Sequence, residues 1–336
     1  MLMRRKVTGA WALVWLLAGV CPDAAAYQTY GVEIGGRVVV LKWRAVPVRY
    51  YVSGQSVPGV SAAELQGAVQ RAFATWQGVA EAAVAAQFVG LTPAEPFDDD
   101  GASTLGFLSR PDLDRVLGAT DFVIDKTTGE IIESDIFFNS AFSWSVAPGG
   151  ETGKFDLESI ALHEIGHFFG LGHSALGETE LRPGGGRRVI AAEAVMFPIA
   201  FSPGNTSGRT LRADDRAGMS ELYPASTTRQ TTGMIVGTVT KNGQGVFGAH
   251  VVAFNPGTGA LVAGFTLDRT GRFAIGGLSP GPHILRVEPL DDADLDSFFD
   301  DTSGVDLAFL VTFAQRFGIA PRGGASDPVV VHVTPK

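Results

Sequence analysis

Cysteine is almost absent from this chain, whose single cysteine among 336 residues is Cys21. One cysteine cannot form an intramolecular disulfide, so a scaffold stapled by disulfides is excluded. Cys21 also lies in a leading segment that we expect to be removed. The exported protein then has no thiol, and its fold depends on core packing and bound ions.

Charge of either sign is also sparse, because Asp, Glu, Lys and Arg together make up 18% of the residues. The net charge is −9, and no basic cluster follows the leading segment, so the chain is a poor candidate for binding nucleic acid. Hydrophobic residues reach 45%, which indicates a globular protein, and the length allows two domains.

A long apolar run is missing as well: the run Ala10–Val20 is too short to span a bilayer comfortably. A basic start precedes this run, and Ala24-Ala25-Ala26 follows it, which is typical of a signal peptide cleaved after Ala26. We therefore predict that residues 1–26 are a signal peptide and that the protein is secreted, extracellular or periplasmic. Acylation of Cys21 is the alternative, although Val20 is bulky where a lipoprotein signal has a small residue.

Histidine is absent before His163, and residues 163–173 then read H-E-x-x-H-x-x-G-x-x-H. On a helix, His163 and His167 project from one face, and Gly170 can end the helix and return the chain so that His173 joins them. Three neutral imidazoles suit Zn²⁺ and leave its fourth tetrahedral position for water. Glu164 lies beside the first ligand, where it can take the proton of that water.

The residues around this motif predict a mixture of strands and helices. Ser61–Glu64 is a capping-box signature, and the helix after it carries an apolar stripe. Ala119–Ile124 and Ile131–Phe138 read as two strands of a hairpin. Asp156 is a candidate N-cap for the motif helix. Three more segments are predicted as elements: a strand over Val46–Val52, the motif helix over Leu157–Phe169 and a last helix over Leu211–Tyr223.

The composition and sequence pattern of the chain change after Pro224. Residues 225–232 resemble a linker in composition, and residues 233–336 consist of short β-type runs separated by Gly-rich turns. We predict a small β-sandwich there, with a short helix over Val305–Phe317. Asp291–Asp301 reads as an acidic insertion.

A second acidic run, Asp98-Asp99-Asp100, lies in a loop of the first part of the chain. Three carboxylates in one loop can hold Ca²⁺, which makes this run a candidate calcium site. Such a run is more often a solvated turn, and both interpretations stay open.

The zinc motif resembles that of the metzincin metalloproteases, and within them the matrixins. Three further features carry the resemblance: Met196 in a tight turn, Ser174 directly after the last histidine, and Asp214-Asp215 in the last helix. The likeness covers roughly residues 37 to 224 and is most specific at the zinc motif. No histidine precedes His163, so the second, structural zinc of animal matrixins is not expected, and with Cys21 in the leader neither is cysteine-based latency.

The resemblance implies an α+β fold: a metzincin catalytic domain, with a twisted mixed sheet, three helices and a zinc cleft, over residues 27–224. It implies a zinc endopeptidase of the bacterial secreted type, acting on protein substrates as a monomer. Ile131–Phe138 would be the edge strand that receives substrate, and Pro198-Ile199-Ala200 would wall the pocket after the cut. Residues 233–336 resemble carboxypeptidase regulatory-like or transthyretin-like modules.

Three alternatives compete with this function. The protein could be a catalytically inactive metzincin-like protein that binds peptides, but a protein that only binds has no chemical need for Glu164 and all three histidines. It could be an adhesin whose function lies in the C-terminal part, and this alternative stays open. A zinc hydrolase other than a protease is disfavoured by the third histidine after Gly170.

Overall fold

The structure, a computed structural model, describes residues 28–98, 100–183 and 185–336. The predicted signal peptide, residues 1–26, lies outside the described residues. Among the residues described, no helix is both long enough and apolar enough to cross a membrane.

The first part of the chain alternates strands and helices. In order these are β1 (Gly31–Ile34), β2 (Arg37–Val40), β3 (Val48–Ser53), α1 (Ala62–Gln77), β4 (Ala86–Thr92), β5 (Ser103–Leu108), β6 (Gly118–Asp125), β7 (Glu130–Asn139), β8 (Trp144–Ser145), β9 (Phe155–Asp156), α2 (Leu157–Phe168), β10 (Gly177–Leu181), β11 (Arg187–Ala192), a 3-10 turn (Ser207–Arg209) and α3 (Ala213–Leu222). The order in the main sheet is β4-β3-β5-β7-β6, in which only β6 runs antiparallel to its neighbour.

Helix boundaries follow the capping residues expected from the sequence. Ser61 and Glu64 form the predicted capping box at the start of α1, and the Asp156 side chain accepts the Ser159 N–H at the start of α2. The β6–β7 hairpin is confirmed, and Gly129 in its turn has a φ of 72°. These local predictions succeed because caps and tight turns depend on adjacent residues.

Large aromatic side chains fix α1 and α2 against the sheet. Phe73 stacks on Tyr50 with ring centroids 4.1 Å apart and meets Phe168 edge-on at 5.3 Å. Trp76 is fully buried and donates its indole N–H to the Leu162 carbonyl at 2.8 Å. Because Leu162 directly precedes the zinc motif, this core sets the position of the motif helix.

The residues expected to form a linker are folded against the first region. A short helix, α4 (Thr228–Thr231), begins there, and Thr228 is buried with its hydroxyl donating to the Glu81 carbonyl. The Ala225 N–H donates to the same carbonyl at 3.0 Å. These contacts hold the segment to the turn after α1 and limit its freedom to act as a flexible connection.

The last hundred residues form two sheets that enclose one core. The strands are β12 (Gly233–Lys241), β13 (Gln244–Gly245), β14 (His250–Phe254), β15 (Leu261–Phe265), β16 (Arg272–Leu278), β17 (Gly281–Glu288), β18 (Thr312–Phe313), β19 (Gly318–Ala320) and β20 (Val329–His332). In one sheet β12 pairs with β13, β16 and β20; in the other the order is β15-β14-β17-β18, with β19 also on β17. Buried and half-buried residues alternate along β12 and β17, so each sheet turns one face to the shared core.

The predicted helix over Val305–Phe317 is wrong. Phe309 is fully buried in the core between the sheets, while its neighbours Ala308 and Leu310 are exposed, and Thr312–Phe313 pairs with β17. This alternation belongs to extended chain. Apolar residues occupy most positions of this segment, with an unbroken run over Leu307–Val311, so neither a helical nor an alternating period stands out.

Candidate metal centre

The three histidines of the motif converge on one point. The Nε2 atom of His167 lies 3.1 Å from that of His163 and 3.2 Å from that of His173. A tetrahedral zinc ion with Zn–N bonds of about 2.0–2.1 Å requires nitrogens about 3.3 Å apart. In the described part of the chain, this is the cluster of three or more His, Cys, Asp or Glu residues that could hold a metal. The donor set therefore fits zinc in number, type and spacing.

A glycine turn brings His173 back to the helix. Gly170 has a φ of 102°, and the Cβ of any other residue there would clash with the Leu41 carbonyl oxygen. The returning chain is held by the N-terminal segment, since the Gly172 N–H donates to the Gln28 carbonyl at 2.6 Å and the Tyr30 N–H to the Gly170 carbonyl at 3.1 Å.

Each histidine presents its other ring nitrogen to a backbone carbonyl. The Nδ1 atom lies 2.7 Å from the Val195 oxygen in His163, 2.8 Å from the Leu171 oxygen in His167, and 2.8 Å from the Ser297 oxygen in His173. The Tyr30 hydroxyl also approaches the Nδ1 of His167, at 3.0 Å. A carbonyl can only accept, so each Nδ1 carries the hydrogen and each Nε2 keeps a free lone pair for a metal.

Burial keeps these imidazoles neutral. It lowers the pKa of His163 and lowers that of His167 well below its ordinary value, and it brings the pKa of His173 to about 3. The neighbouring histidines lower the pKa of His167 and His173 further, because two positive charges at this distance repel. Neutral imidazole is the form that binds a metal ion.

Glu164 is buried beside the cluster and is oriented by a strand. The Thr120 hydroxyl lies 2.8 Å from Glu164 Oε2, and a Cβ on Gly118 would lie 3.2 Å from Glu164 Oε1. Burial raises the pKa of Glu164 to about 7, and the hydrogen bond from Thr120 opposes this rise. A carboxyl group with a pKa near 7 can both accept and return a proton at neutral pH.

Thr120 and Gly118 were not identified from the sequence as part of the site. Their strand, β6, was also not identified as an edge strand. The edge strand was expected to be Ile131–Phe138, but β7, which contains it, lies between β5 and β6 inside the sheet. The edge is β6. Both hairpin strands had been predicted, but which of them faces outward depends on pairing with β5, and this pairing leaves no local signal.

The Met turn lies beneath the motif helix. A Cβ on Gly166 would overlap Met196 Sδ, so the absence of a side chain at Gly166 allows Met196 to pack against α2. Asp215 holds the turn through bonds from the Val195 and Met196 N–H groups at 2.9 and 3.1 Å. Burial raises the pKa of Asp215 to about 6, although these N–H donors lower it. Ile199 of the predicted pocket wall packs against a nearby apolar cluster, and its role in a pocket stays a prediction.

The acidic run of the first region shows the bonding of a turn. Asp100 Oδ1 accepts the Ala102 N–H at 2.9 Å, and Asp98 Oδ2 accepts the Glu95 N–H at 3.4 Å. Asp99 lies outside the described residues. The calcium site stays a prediction.

Comparison with known proteins finds similarity to metalloproteinases. The matrixin family model matches residues 42–183. Metalloendoproteinase 1 of Glycine max is 40% identical over 81 residues, which are 24% of this chain and 21% of that protein. Matrix metalloproteinase-20 of Homo sapiens is 27% identical over 218 residues, 60% of this chain and 35% of that protein. Matrix metalloproteinase-25 of Mus musculus is 31% identical over 93 residues, 27% of this chain and 12% of that protein.

The family model thus makes residues 42–183 similar to the matrixins, and the mixed sheet and helices agree with the α+β fold that this similarity implies. The chain matches about a third or less of the length of each of these relatives. The family is one of zinc enzymes, and the three-histidine cluster lies within the matched residues.

Proposed function

We propose that this protein is a secreted zinc-dependent endopeptidase that hydrolyses peptide bonds in proteins, as a monomer. The observation that carries the proposal is the convergence of three Nε2 atoms whose Nδ1 partners are all carbonyls, with Glu164 buried beside them. His163, His167 and His173 would hold the zinc ion.

The protein side of the reaction follows from the groups around the centre. A bound zinc ion would supply Lewis-acid polarisation of the peptide carbonyl and would acidify a water molecule. Glu164 takes the proton of the attacking water at its carboxylate and then returns it to the leaving amine nitrogen. Thr120 donates to one carboxylate oxygen and so fixes the direction in which the carboxylate points. An extended substrate adds main-chain hydrogen bonds along the outer edge of β6.

The proposed domain division places the signal peptide at 1–26, the protease domain at 27–224, a connection at 225–232 and a β-sandwich module at 233–336. The family match over 42–183 supports the protease domain, and the core between two sheets supports the module. We keep the carboxypeptidase regulatory-like resemblance of the module and the bacterial type of the protease as part of this proposal.

The decisive experiment is the Glu164→Gln variant. Glutamine keeps the shape of the side chain and its bond from Thr120 but cannot take up a proton. We expect zinc content to stay near one ion per chain while cleavage of casein or a peptide library falls about a hundredfold or more. Glu158→Gln is the matched control, because Glu158 lies on the same helix but pairs with Arg71.

Two results would contradict the proposal. Full cleavage by Glu164→Gln would remove the proposed general base. A wild-type protein that binds zinc but cleaves no member of the library would instead support the alternative, a metzincin-like binding or adhesion protein. Chelation of the metal should abolish activity of the wild-type protein, and restored zinc should return it.

A further inference from the structure

One segment of the C-terminal region lies against the zinc motif instead of joining its own two sheets. We call residues 290–300 the bridging segment; it follows β17 and contains a 3-10 turn, Leu295–Ser297. The sequence had suggested only an acidic insertion here. The segment instead makes polar, aromatic and apolar contacts with the first region.

One of these contacts is to a proposed zinc ligand. The Ser297 carbonyl accepts from His173 Nδ1 at 2.8 Å, across 124 positions of the sequence. The next side chain, Phe298, lies edge-on to the His173 ring with centroids 6.4 Å apart. Gln28 adds a bond from its side-chain amide to the Phe298 carbonyl at 2.5 Å. The third histidine is thus enclosed by the N-terminal segment and the bridging segment together.

Aromatic packing anchors the segment in place. Phe298 and Phe299 are buried, and each ring lies 5.5 Å from that of Phe265 on β15. The same apolar cluster includes Ala175 and Phe197 from the first region. Displacing either ring would open a cavity in a core that both regions share, which the surrounding side chains could refill only in part.

Polar bonds fasten the start of the segment to the β10–β11 hairpin. Thr179 donates its N–H to Asp292 Oδ1 and its hydroxyl to the Asp292 carbonyl, both at 2.7 Å. Arg187 donates to the Asp291 carbonyl at 2.8 Å and lies 3.6 Å from Asp294 Oδ1. The hairpin follows His173 in the chain. The bridging segment is therefore fastened both to this histidine and to the residues that come after it.

The three proposed ligands differ in where their second partner comes from. The carbonyls that face His163 and His167 belong to Val195 and Leu171 of the first region, whereas the one that faces His173 belongs to the C-terminal region. A partner on the far nitrogen fixes the tautomer and direction of a metal-bound imidazole, and its loss typically costs 10–100-fold in metal affinity.

We propose that the bridging segment completes the zinc centre, with the Ser297 carbonyl as the group that positions His173 and Phe298 as the side chain that holds this carbonyl in place. The proposal rests on the proposed function only in that the three histidines hold zinc. The C-terminal region is then a working part of the metal site, and a role limited to targeting or adhesion does not account for it.

The test measures zinc affinity of the full chain by competition with a chelator, and the absorption spectrum of the Co²⁺-substituted protein. Phe298→Ala should weaken zinc binding by about 10–100-fold and shift the Co²⁺ bands. Phe298→Leu, which refills most of the cavity, should recover most of the affinity. Phe309→Ala is the matched control, because Phe309 is equally buried in the C-terminal core but away from the bridging segment.

A second pair of variants covers the case in which Phe298→Ala does not fold. Asp292→Ala removes the side-chain acceptor of the Thr179 N–H and should weaken zinc binding severalfold, whereas Asp292→Asn retains an acceptor oxygen and should bind as the wild type does. Unchanged affinity and unchanged Co²⁺ bands in Phe298→Ala or Asp292→Ala would overturn the proposal. An equal loss in Phe309→Ala would also overturn it, since the effect would then be one of general stability.

The wild-type protein separates this proposal from the proposed function. If wild-type chain binds zinc and cleaves peptides while both sets of variants keep their zinc affinity, the positioning role alone fails. If wild-type chain binds no zinc, the proposed function fails and this proposal with it.

Discussion

The first region of this molecule, up to Pro224, and the C-terminal region, residues 233–336, build their cores from different side chains. We call these two regions the two halves. The cluster around α1 and α2 is rich in large rings, among them Phe73, Trp76 and Phe168. The core between the two C-terminal sheets consists mainly of valines and other small aliphatic residues, with Phe273 and Phe309 as its buried rings. Rings fill the wide space between helices and a sheet, whereas β-branched side chains suit two sheets packed face to face.

This difference separates a region that orients a reactive helix from one that acts as a rigid support. The aromatic core fixes α2 through contacts such as the Trp76 bond to Leu162. The aliphatic core holds the sheet from which the bridging segment emerges. The two halves meet in a third cluster, where Phe197 of one packs with Phe265 and Phe298 of the other. The metal centre lies where the halves meet, so we expect each to depend on the other.

The largest test of this dependence is removal of the C-terminal half. A chain of residues 27–224 keeps all three histidines and Glu164 but loses the Ser297 carbonyl and exposes Phe197 and Ala175. We expect zinc affinity to fall about tenfold or more and peptide cleavage to fall further, because a misdirected ligand and a loosened core act together. Both are measured against the full chain at equal protein concentration.

The truncated chain needs a control for simple misfolding. Adding back residues 233–336 as a separate chain should restore part of the zinc affinity if the two halves dock as they do in the full protein. A fragment that binds zinc and cleaves peptides as well as the full chain would contradict the expected dependence of the metal centre on the C-terminal half. That half would then be an independent module.

A smaller effect tests whether the two cores unfold together. Every tryptophan of the chain precedes residue 145, so tryptophan fluorescence reports only on the first half. Val239→Ala removes two methyl groups from the C-terminal core and should cost about 2 kcal/mol, and Phe73→Ala in the first core about 4 kcal/mol. If the halves are coupled, Val239→Ala lowers the denaturation midpoint seen by tryptophan fluorescence, although its site lies in the half without tryptophan.

The fluorescence midpoint is compared with the midpoint measured by circular dichroism, which reports on both halves. Coincident midpoints by the two signals in each variant would support a single cooperative transition. A Val239→Ala variant whose fluorescence midpoint equals that of the wild type would show that the halves unfold separately.

Much of the metal centre could be predicted from local sequence, for a physical reason. The helical spacing of His163 and His167 and the glycine at 170 act over a few residues, so the pattern alone brings the three rings together. The same holds for the caps at Ser61 and Asp156.

The groups that orient these ligands could not be predicted. The Ser297 acceptor is a backbone carbonyl, which every residue has, and it reaches His173 only through the packing of two halves. Thr120 faces Glu164 because β6 is the edge of the sheet, which depends on the pairing of β7 with β5. Contacts over such sequence distances leave no periodic signal in either partner.

The smallest expected effect concerns Asp214, a buried carboxyl group that joins the two halves. Its Oδ1 accepts the Ala263 N–H of β15 at 2.8 Å, and Ser174 next to the third histidine also bonds to it. Burial raises the pKa of Asp214 to about 7 from its ordinary value of 3.8, and neighbouring Asp215 raises it further, against the lowering effect of these bonds. The folded protein therefore holds a proton that the unfolded chain has lost at the same pH.

Because the folded state binds more protons at Asp214 than the unfolded state, this group makes the protein less stable as pH rises from about 4 to about 7. The Asp214→Asn variant cannot titrate there and keeps an acceptor for the Ala263 N–H. We expect its free energy of unfolding, measured with urea, to gain about 1 kcal/mol on the wild type between pH 5 and pH 6. A constant difference across this range would mean that Asp214 is ionised in the folded protein as it is in the unfolded chain, and that burial does not raise its pKa.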